Sequence, residues 1–126
     1  MNIPEELKYT EEHEWIRIDG NIATIGITDF AQGELGDIVY IEIDSLGKEL
    51  DINQIFGTVE AVKTVSDLFM PIKGKVLEVN PNIESTPEIV NEDPYDKGWI
   101  IKIETSENQD ISNLLSTEDY RNMIDN

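Results

Sequence analysis

The sequence predicts a mainly β fold, a sandwich or barrel with short helices and a C-terminal helix. Three observations lead to this prediction: short apolar segments with a two-residue period, turn residues between them, and a helical period after Glu104. Many short strands separated by frequent turns are typical of sandwiches and barrels. At 126 residues, the chain is expected to form one domain, residues 1–126, around a single core.

The first hairpin gives the strongest local signal. Apolar runs at 15–18 and 22–27 flank Asp19-Gly20, a dipeptide that favours tight two-residue turns. We therefore expect a hairpin over residues 15–27 that turns at Asp19-Gly20.

Further strands are expected in the middle of the chain. Val39, Ile41 and Ile43 alternate with their neighbours, which predicts a half-buried strand with these three side chains facing the core. Three more strand candidates follow at 54–62, 75–80 and 99–104.

Capping signals predict where the helices begin. Asp29, with Gln32 three residues later, predicts the N-cap of a short helix that ends before Gly36. Ser106 and Gln109 form a second capping box.

The C-terminal segment has a helical period. Ile111, Leu114 and Leu115 would share one helical face, and a further apolar set follows Thr117, which is a second candidate cap. We therefore expect a bent or broken C-terminal helix that docks on the sheet. The later apolar residues are Tyr120, Met123 and Ile124.

Charge and composition exclude several function classes. The 27 acidic and 9 basic residues give a formal charge of −18, which repels phosphate backbones and anionic membranes, so neither nucleic acid nor a membrane is an expected partner. The chain has no cysteine and only one histidine, so no metal site is expected. That residue, His13, is expected to pack or orient the segment before Trp15 rather than to catalyse.

The first residues suggest a cytoplasmic protein. No basic segment followed by an apolar run opens the sequence, and no stretch approaches the ~20 apolar residues of a membrane span. A mature mitochondrial form with its presequence removed would look the same.

Lys63 is the residue whose context points to a function. It follows a strand-like apolar run that ends at Val62 and precedes Val65-Ser66-Asp67, which predicts a lysine at the solvent-exposed tip of a hairpin.

The segment around Lys63 resembles the lipoylation segment of glycine cleavage H proteins, usually read E-S-V-K-A-x-S-D. Here it reads E-A-V-K-T-V-S-D over residues 60–67, so Ala61 replaces the usual Ser while the lysine is kept. Four other segments resemble the same family in the same order, so the resemblance spans about residues 7 to 120. These segments are 7–15, 25–32, 35–40 and 90–99.

The resemblance implies a lipoyl/biotinyl-type flattened β-barrel, a hybrid sandwich, and a carrier without catalytic residues. It implies lipoate joined by an amide to Lys63. It also implies four partners: a pyridoxal-phosphate glycine decarboxylase, a folate-dependent aminomethyltransferase, dihydrolipoamide dehydrogenase and a lipoylating enzyme. The carrier would shuttle an aminomethyl group between the first two and then electrons to the third.

Four acids are candidates for roles in this site, the first three of them through the resemblance. After loading, the arm folds back into a cleft, for which Glu14 and Asp67, and more weakly Glu12, are the matching carboxylates. Glu60 and Asp67, which flank the predicted tip, are candidates for recognition by the lipoylating enzyme.

Four alternatives remain open at this point. A biotinyl domain would also present a lysine at a hairpin tip, although its Met-Lys-Met pattern is replaced here by Val62-Lys63-Thr64. A lipoyl-relay protein of the same family would donate lipoate to other enzymes. A small hydrolase built around His13 and an unmodified binding module are the remaining two.

Overall fold

Two antiparallel sheets form the body of the protein in a computed structural model that describes residues 1–106 and 110–125. The sheets face each other without closing into a barrel, which confirms the predicted mainly β architecture. The strands are β1 (Lys8–Tyr9), β2 (Glu14–Asp19), β3 (Ile22–Ile27), β4 (Ile38–Glu42), β5 (Glu49–Leu50), β6 (Ile55–Ala61), β7 (Val65–Phe69), β8 (Gly74–Val79) and β9 (Ile101–Glu104). The helices are α1 (Asp29–Leu35), α2 (Pro81–Ser85), α3 (Ile89–Glu92) and α4 (Thr117–Ile124).

The smaller sheet is built entirely from the middle of the chain, whereas the larger sheet combines strands from both ends with β5 and β8. The larger sheet has the order β1-β2-β3-β9-β8-β5, and the smaller sheet has the order β4-β6-β7. The predicted strands at 54–62, 75–80 and 99–104 correspond to β6, β8 and β9, which confirms them. Helices α2 and α3 were not predicted from the sequence.

The apolar layer between the sheets is the main core. Residues of the larger sheet such as Ile16, Ile25 and Ile103 pack with Phe56 and Val59 of the smaller sheet, and all are almost completely buried. At roughly 25 cal/mol for each Å² of apolar surface buried, this layer supplies the main drive for the two sheets to associate.

A second apolar cluster covers the opposite face of β2. Trp15 lies over Gly26 of the paired strand β3, where a Cβ atom would come within 2.6 Å of the indole ring. The indole Nε1 donates to the Pro94 carbonyl at 2.9 Å. Glycine is therefore required at position 26, because the Trp15 ring leaves no room for a Cβ atom. The other buried members are Ile3, Leu7, Tyr9, Tyr95 and Tyr120.

The first hairpin is confirmed with its turn displaced by one residue. Asp19 pairs with Ile22, so the two loop residues are Gly20 and Asn21 rather than Asp19 and Gly20. Gly20 has φ +64°, a conformation that glycine adopts at no steric cost.

The predicted inward face of β4 was wrong at Val39. The pairing of β4 with β6 shifts register between Ile38 and Tyr40, so Ile38 and Ile41 are buried while Val39 is 51% exposed. The sequence pattern has a strict two-residue period, whereas a bulge inserts one residue and turns the side chain outward.

The cap of α1 was also misplaced by one residue. Thr28 is the N-cap, and its Oγ1 accepts from the Ala31 N–H at 3.1 Å, while Asp29 lies in the first turn and accepts from the Gln32 side chain. The predicted end of the helix is confirmed, because Gly36 is the C-cap with φ +78°.

The C-terminal helix is shorter than expected. The predicted helical stretch with Ile111, Leu114 and Leu115 is wrong, because these residues form turns and Leu115 pairs with Tyr9 through two backbone hydrogen bonds. The capping residue Gln109 lies outside the described residues. Helix α4 begins after Ser116, which is its N-cap in place of the predicted Thr117.

No helix in residues 1–106 and 110–125 is long and apolar enough to cross a membrane.

Candidate functional site

Lys63 lies in the loop that joins β6 to β7. Glu60 pairs with Val65, and the Ala61 N–H donates to the Thr64 carbonyl at 2.8 Å, so Lys63 is at the tip of a tight hairpin. The side chain is exposed, and among the described residues no carboxylate lies within ion-pairing distance of Nζ. The amine is therefore accessible to an acylating enzyme.

The hairpin tip is tied to the start of β4. The Val62 N–H donates to the Asp37 carbonyl at 3.1 Å, and the Ile38 N–H donates to the Asn91 Oδ1 at 2.9 Å. The Asn91 amide nitrogen also donates to Gly36 and Gln32. Asn91 thus links α1, β4 and α3 through its side-chain amide. The loop carrying Lys63 is hydrogen-bonded to Asp37, next to this link.

A cleft of about 280 Å³ lies between α1 and β7 and is called here the hairpin cleft. Ile27 and Val59 provide apolar surface from β3 and β6, and α1 contributes Phe30 and Leu35. Its polar lining includes Glu12, His13, Glu34, Ser66 and Asp67.

A second, larger space of about 490 Å³ is called here the Glu14 cavity. Glu14 is 1% exposed, and its two oxygens accept from the Phe69 N–H at 2.6 Å and from Thr10 Oγ1 at 3.3 Å. Burial raises the pKa of the Glu14 carboxyl to about 8, although both hydrogen bonds oppose that rise. A carboxyl with this pKa keeps its proton near neutral pH, and a cation placed beside it would favour its ionisation.

The structure separates the three predicted cleft acids between these two spaces. Glu14 lines the Glu14 cavity, Asp67 lines the hairpin cleft, and Glu12 lines both. Glu14 is nevertheless close to β7, because it accepts from Phe69, two residues after Asp67. Glu12, the weaker candidate from the sequence, is the acid common to both spaces.

Glu60 lies on the solvent face of the smaller sheet. Tyr40, Glu60 and Val65 are directly paired across the three strands, so their side chains project from the same face. Tyr40 is 47% exposed, Val65 is 61% exposed, and Val62 beside Lys63 is 69% exposed. A mixed apolar and acidic surface therefore surrounds the hairpin tip.

Several contributing residues were not assigned a role from the sequence. Asn91 and Thr10 lie within the segments that resemble H proteins, but only the fold brings the Asn91 amide to β4 and the Thr10 hydroxyl to Glu14. His13 does orient the segment before Trp15, as expected, through contacts with Phe30 and Tyr120. In the described part of the chain, no group of three or more His, Cys, Asp or Glu side chains could hold a metal ion.

The raised pKa of Glu14 predicts a specific pH dependence of stability. Between about pH 4.5 and pH 8 the folded state retains a proton that the unfolded state has lost, so stability falls as pH rises through this window. Glu14→Gln removes this titration and keeps an oxygen for the Phe69 N–H. We expect the free energy of unfolding of the wild type to decline relative to the variant from pH 5 to pH 8, as measured by urea denaturation.

Glu49→Gln, at an exposed strand position, is the control for this measurement and should follow the wild-type curve. Parallel pH profiles for wild type and Glu14→Gln would contradict the assignment.

The chain is similar over nearly its whole length to known proteins of one family. The family model described as glycine cleavage H-protein matches residues 7–126. The glycine cleavage system H protein of Anoxybacillus flavithermus is 56% identical over 124 residues, covering 98% of both chains. That of Bacteroides fragilis is 51% identical over 124 residues, again with 98% of both chains covered.

A solved structure shows the same fold. The crystal structure of a glycine cleavage system H protein from Mycobacterium marinum superimposes with a TM-score of 0.90 at 32% identity, covering 98% of this chain and 100% of that one. The predicted lipoyl-type fold is thereby confirmed. The chain belongs to the glycine cleavage H-protein family, whose members are non-catalytic carrier subunits of the glycine cleavage system.

Proposed function

We propose that the chain carries lipoate in amide linkage to Lys63 and shuttles an aminomethyl group within the glycine cleavage system. The observation that carries this proposal is the lysine of the E-A-V-K-T-V-S-D segment at the exposed tip of the β6–β7 hairpin. When bound, lipoate supplies a dithiolane that accepts the one-carbon unit together with electrons. The proposed partners are glycine decarboxylase, aminomethyltransferase, dihydrolipoamide dehydrogenase and a lipoylating enzyme.

The protein's own contribution is to fix the root of the arm and to offer it a resting place. The hydrogen bonds from Ala61 and Val62 hold the loop in one geometry, while the lysine side chain projects into solvent. Tethering raises the effective concentration of the arm at each partner's site, so a carrier without catalytic residues can still accelerate the cycle.

Carboxylates near the hairpin tip can act as counter-charges for the amine that the loaded arm carries. A primary amine on the arm is a cation near neutral pH, and Glu12, Glu14 and Asp67 line the two spaces that a folded-back arm can reach. The buried Glu14 is the strongest candidate once it is ionised, because a desolvated charge-assisted hydrogen bond is worth about 1.5–3 kcal/mol. An ammonium beside Glu14 lowers the pKa of its carboxyl and so favours the ionised form. The exposed Asp67 is expected to contribute only ~0.2–1 kcal/mol.

Lys63→Arg is expected to fold normally and to abolish both lipoylation and glycine cleavage, because a guanidinium keeps the charge but cannot form the amide. Intact-mass measurement after expression with an active lipoylating enzyme reads the modification directly. Lys75→Arg, at an exposed position of β8, is the matched control and should gain the full lipoyl mass. A lipoyl increment on the Lys63 variant would refute the assignment, and a biotin-sized increment on wild type would favour the biotinyl alternative.

Recognition by the lipoylating enzyme is proposed to involve Glu60 and Asp67, the acids that flank the tip. Both are exposed, and charges at the rim of an interface act mainly on the rate of encounter. We expect Glu60→Ala and Asp67→Ala each to slow lipoylation by up to ~fivefold, as follows from ~1 kcal/mol for an exposed pair. Modification rates equal to those of wild type and of the Glu49→Ala control, in folded protein, would leave these acids as solvated surface.

The more deeply a carboxyl is buried, the more it is expected to slow loss of the aminomethyl group from the arm. At about pH 8.5, above the pKa of Glu14, we expect spontaneous loss of the aminomethyl group to be about tenfold or more faster in Glu14→Gln, and at most ~fivefold faster in Glu12→Gln and Asp67→Asn. The measurement is release of the one-carbon unit from the arm without partner enzymes, with Glu49→Gln as control. Equal release rates in all folded variants would show that these carboxyls do not shield the amine.

A further inference from the structure

A buried chain of hydrogen bonds connects the C-terminal helix to the hairpin cleft. Thr28 Oγ1 lies 2.7 Å from Tyr120 Oη, and Tyr120 Oη lies 2.9 Å from His13 Nδ1. Thr28 and Tyr120 are completely buried, whereas the His13 ring lines the hairpin cleft. The carrier role described above gives these three residues no task.

Counting donors and acceptors indicates which group donates in each of these two hydrogen bonds. Thr28 Oγ1 already accepts from the Ala31 N–H at 3.1 Å, and within the described residues Tyr120 Oη is the acceptor within reach of its hydroxyl hydrogen. Both hydroxyl hydrogens have an acceptor when Thr28 donates to Tyr120 and Tyr120 in turn donates to His13 Nδ1. An acceptor Nδ1 requires the neutral imidazole whose hydrogen is on Nε2.

The backbone holds His13 in an uncommon conformation that supports a specific role for the ring. Its φ is +67°, a left-handed value that costs an L-residue roughly 1–2 kcal/mol. Backbone hydrogen bonds on both sides enforce it: His13 N–H donates to the Thr10 carbonyl, and the His13 carbonyl accepts from Thr28 N–H. Phe30 packs against the ring with centroids 4.9 Å apart. Outliers of this kind cluster at functional sites.

The surroundings of the ring would otherwise favour its protonation. Glu12 on the preceding turn and Glu34 on α1 both act to raise the pKa of His13, and Asp67 of β7 lines the same cleft. Burial outweighs the two glutamates and lowers the pKa below its usual value. A hydrogen bond donated by Tyr120 also requires an unprotonated Nδ1.

We propose that His13 is a binding residue for the stored arm, held by Thr28 and Tyr120 as a neutral imidazole that presents its Nε2–H to the hairpin cleft. This proposal rests on the proposed lipoyl-carrier function. The N–H donates to an acceptor of the arm, its amide oxygen or a sulfur, while the carboxyls take the cationic amine. A neutral ring suits this division, because an imidazolium would repel the amine and compete for the same acids. Tyr120 is the positioning residue, since it acts through His13.

The first test uses protein without lipoate and reads the tautomer of His13 by ¹⁵N NMR. At pH 7.5 we expect the wild type to show a protonated Nε2 and an unprotonated Nδ1. Tyr120→Phe removes the donor, so its ring should become a mixture of tautomers, with a pKa closer to the ordinary value of about 6.5. Tyr9→Phe is the matched control, because Tyr9 stacks on Tyr120 at 4.7 Å but donates to the Pro4 carbonyl instead.

The second test adds the arm. Lipoylation and amine loading should shift the His13 Nε2–H resonance in wild type and Tyr9→Phe, and the amine should be lost several-fold faster from Tyr120→Phe. A protonated Nδ1 in the wild type, or an unchanged tautomer in Tyr120→Phe, would overturn the positioning role. An unchanged Nε2–H resonance in protein with a lipoyl mass would overturn the arm contact. Absence of the lipoyl mass would instead refute the proposed function and leave the tautomer result standing.

Discussion

The apolar layer between the two sheets holds the parts of the carrier site in their places. Strands β6 and β7 lie on one side of this layer, and Phe56, Val59 and Leu68 anchor them to it. Because these buried side chains fix the base of the hairpin, its tip can be fully exposed without losing its direction. The lysine at the tip thus stands on a well-packed support, and its own long side chain supplies the flexibility of the arm's root.

The same packing creates the acidic recesses beside the hairpin. Helix α1 lies across the edge of the layer and leaves the hairpin cleft between itself and β7. Glu14, at the first position of β2, is drawn into the interior because its neighbours Trp15 and Ile16 enter the two opposite apolar clusters. Its carboxyl then accepts from the Phe69 N–H of β7 and from Thr10 Oγ1. A chain with a formal charge of −18 has many acids, but burial gives this one a distinct chemistry.

Surface charge and buried charge would have separate uses in the proposed carrier cycle. Exposed acids are well hydrated, so they steer encounters with basic surfaces without making any one complex long-lived. An ionised buried carboxyl can hold a cation more firmly, and in the proposed cycle a partner that binds the arm reverses this contact. The exposed apolar side chains around the tip, Tyr40, Val62 and Val65, offer area for brief docking next to the arm's root.

The C-terminal helix takes part in the site from a distance. Tyr120 stacks on Tyr9 and reaches Thr28 and His13, so α4 stabilises both the cap of α1 and the ring that lines the cleft. The residues involved are 92 and 107 positions apart in sequence. The helix therefore couples the end of the chain to the cleft near its middle through a few buried polar contacts.

The sequence by itself determined the features that depend on near neighbours. The period of apolar residues predicted the strands, glycine at 20 and 36 predicted a turn and a helix end, and the residues on either side of Lys63 predicted an exposed hairpin tip. Each of these depends on contacts within a few residues, which a linear pattern records.

Tertiary structure decided where pairing and packing override local preference. The bulge in β4 turns Val39 outward, and Thr28 is the cap of α1 rather than Asp29. Leu115 pairs with Tyr9 instead of continuing a helix, because a distant strand edge supplies its backbone partners. The burial of Glu14 also depends on tertiary structure. This one glutamate among many becomes distinct only because a strand 55 residues further along the chain, at Phe69, closes over it.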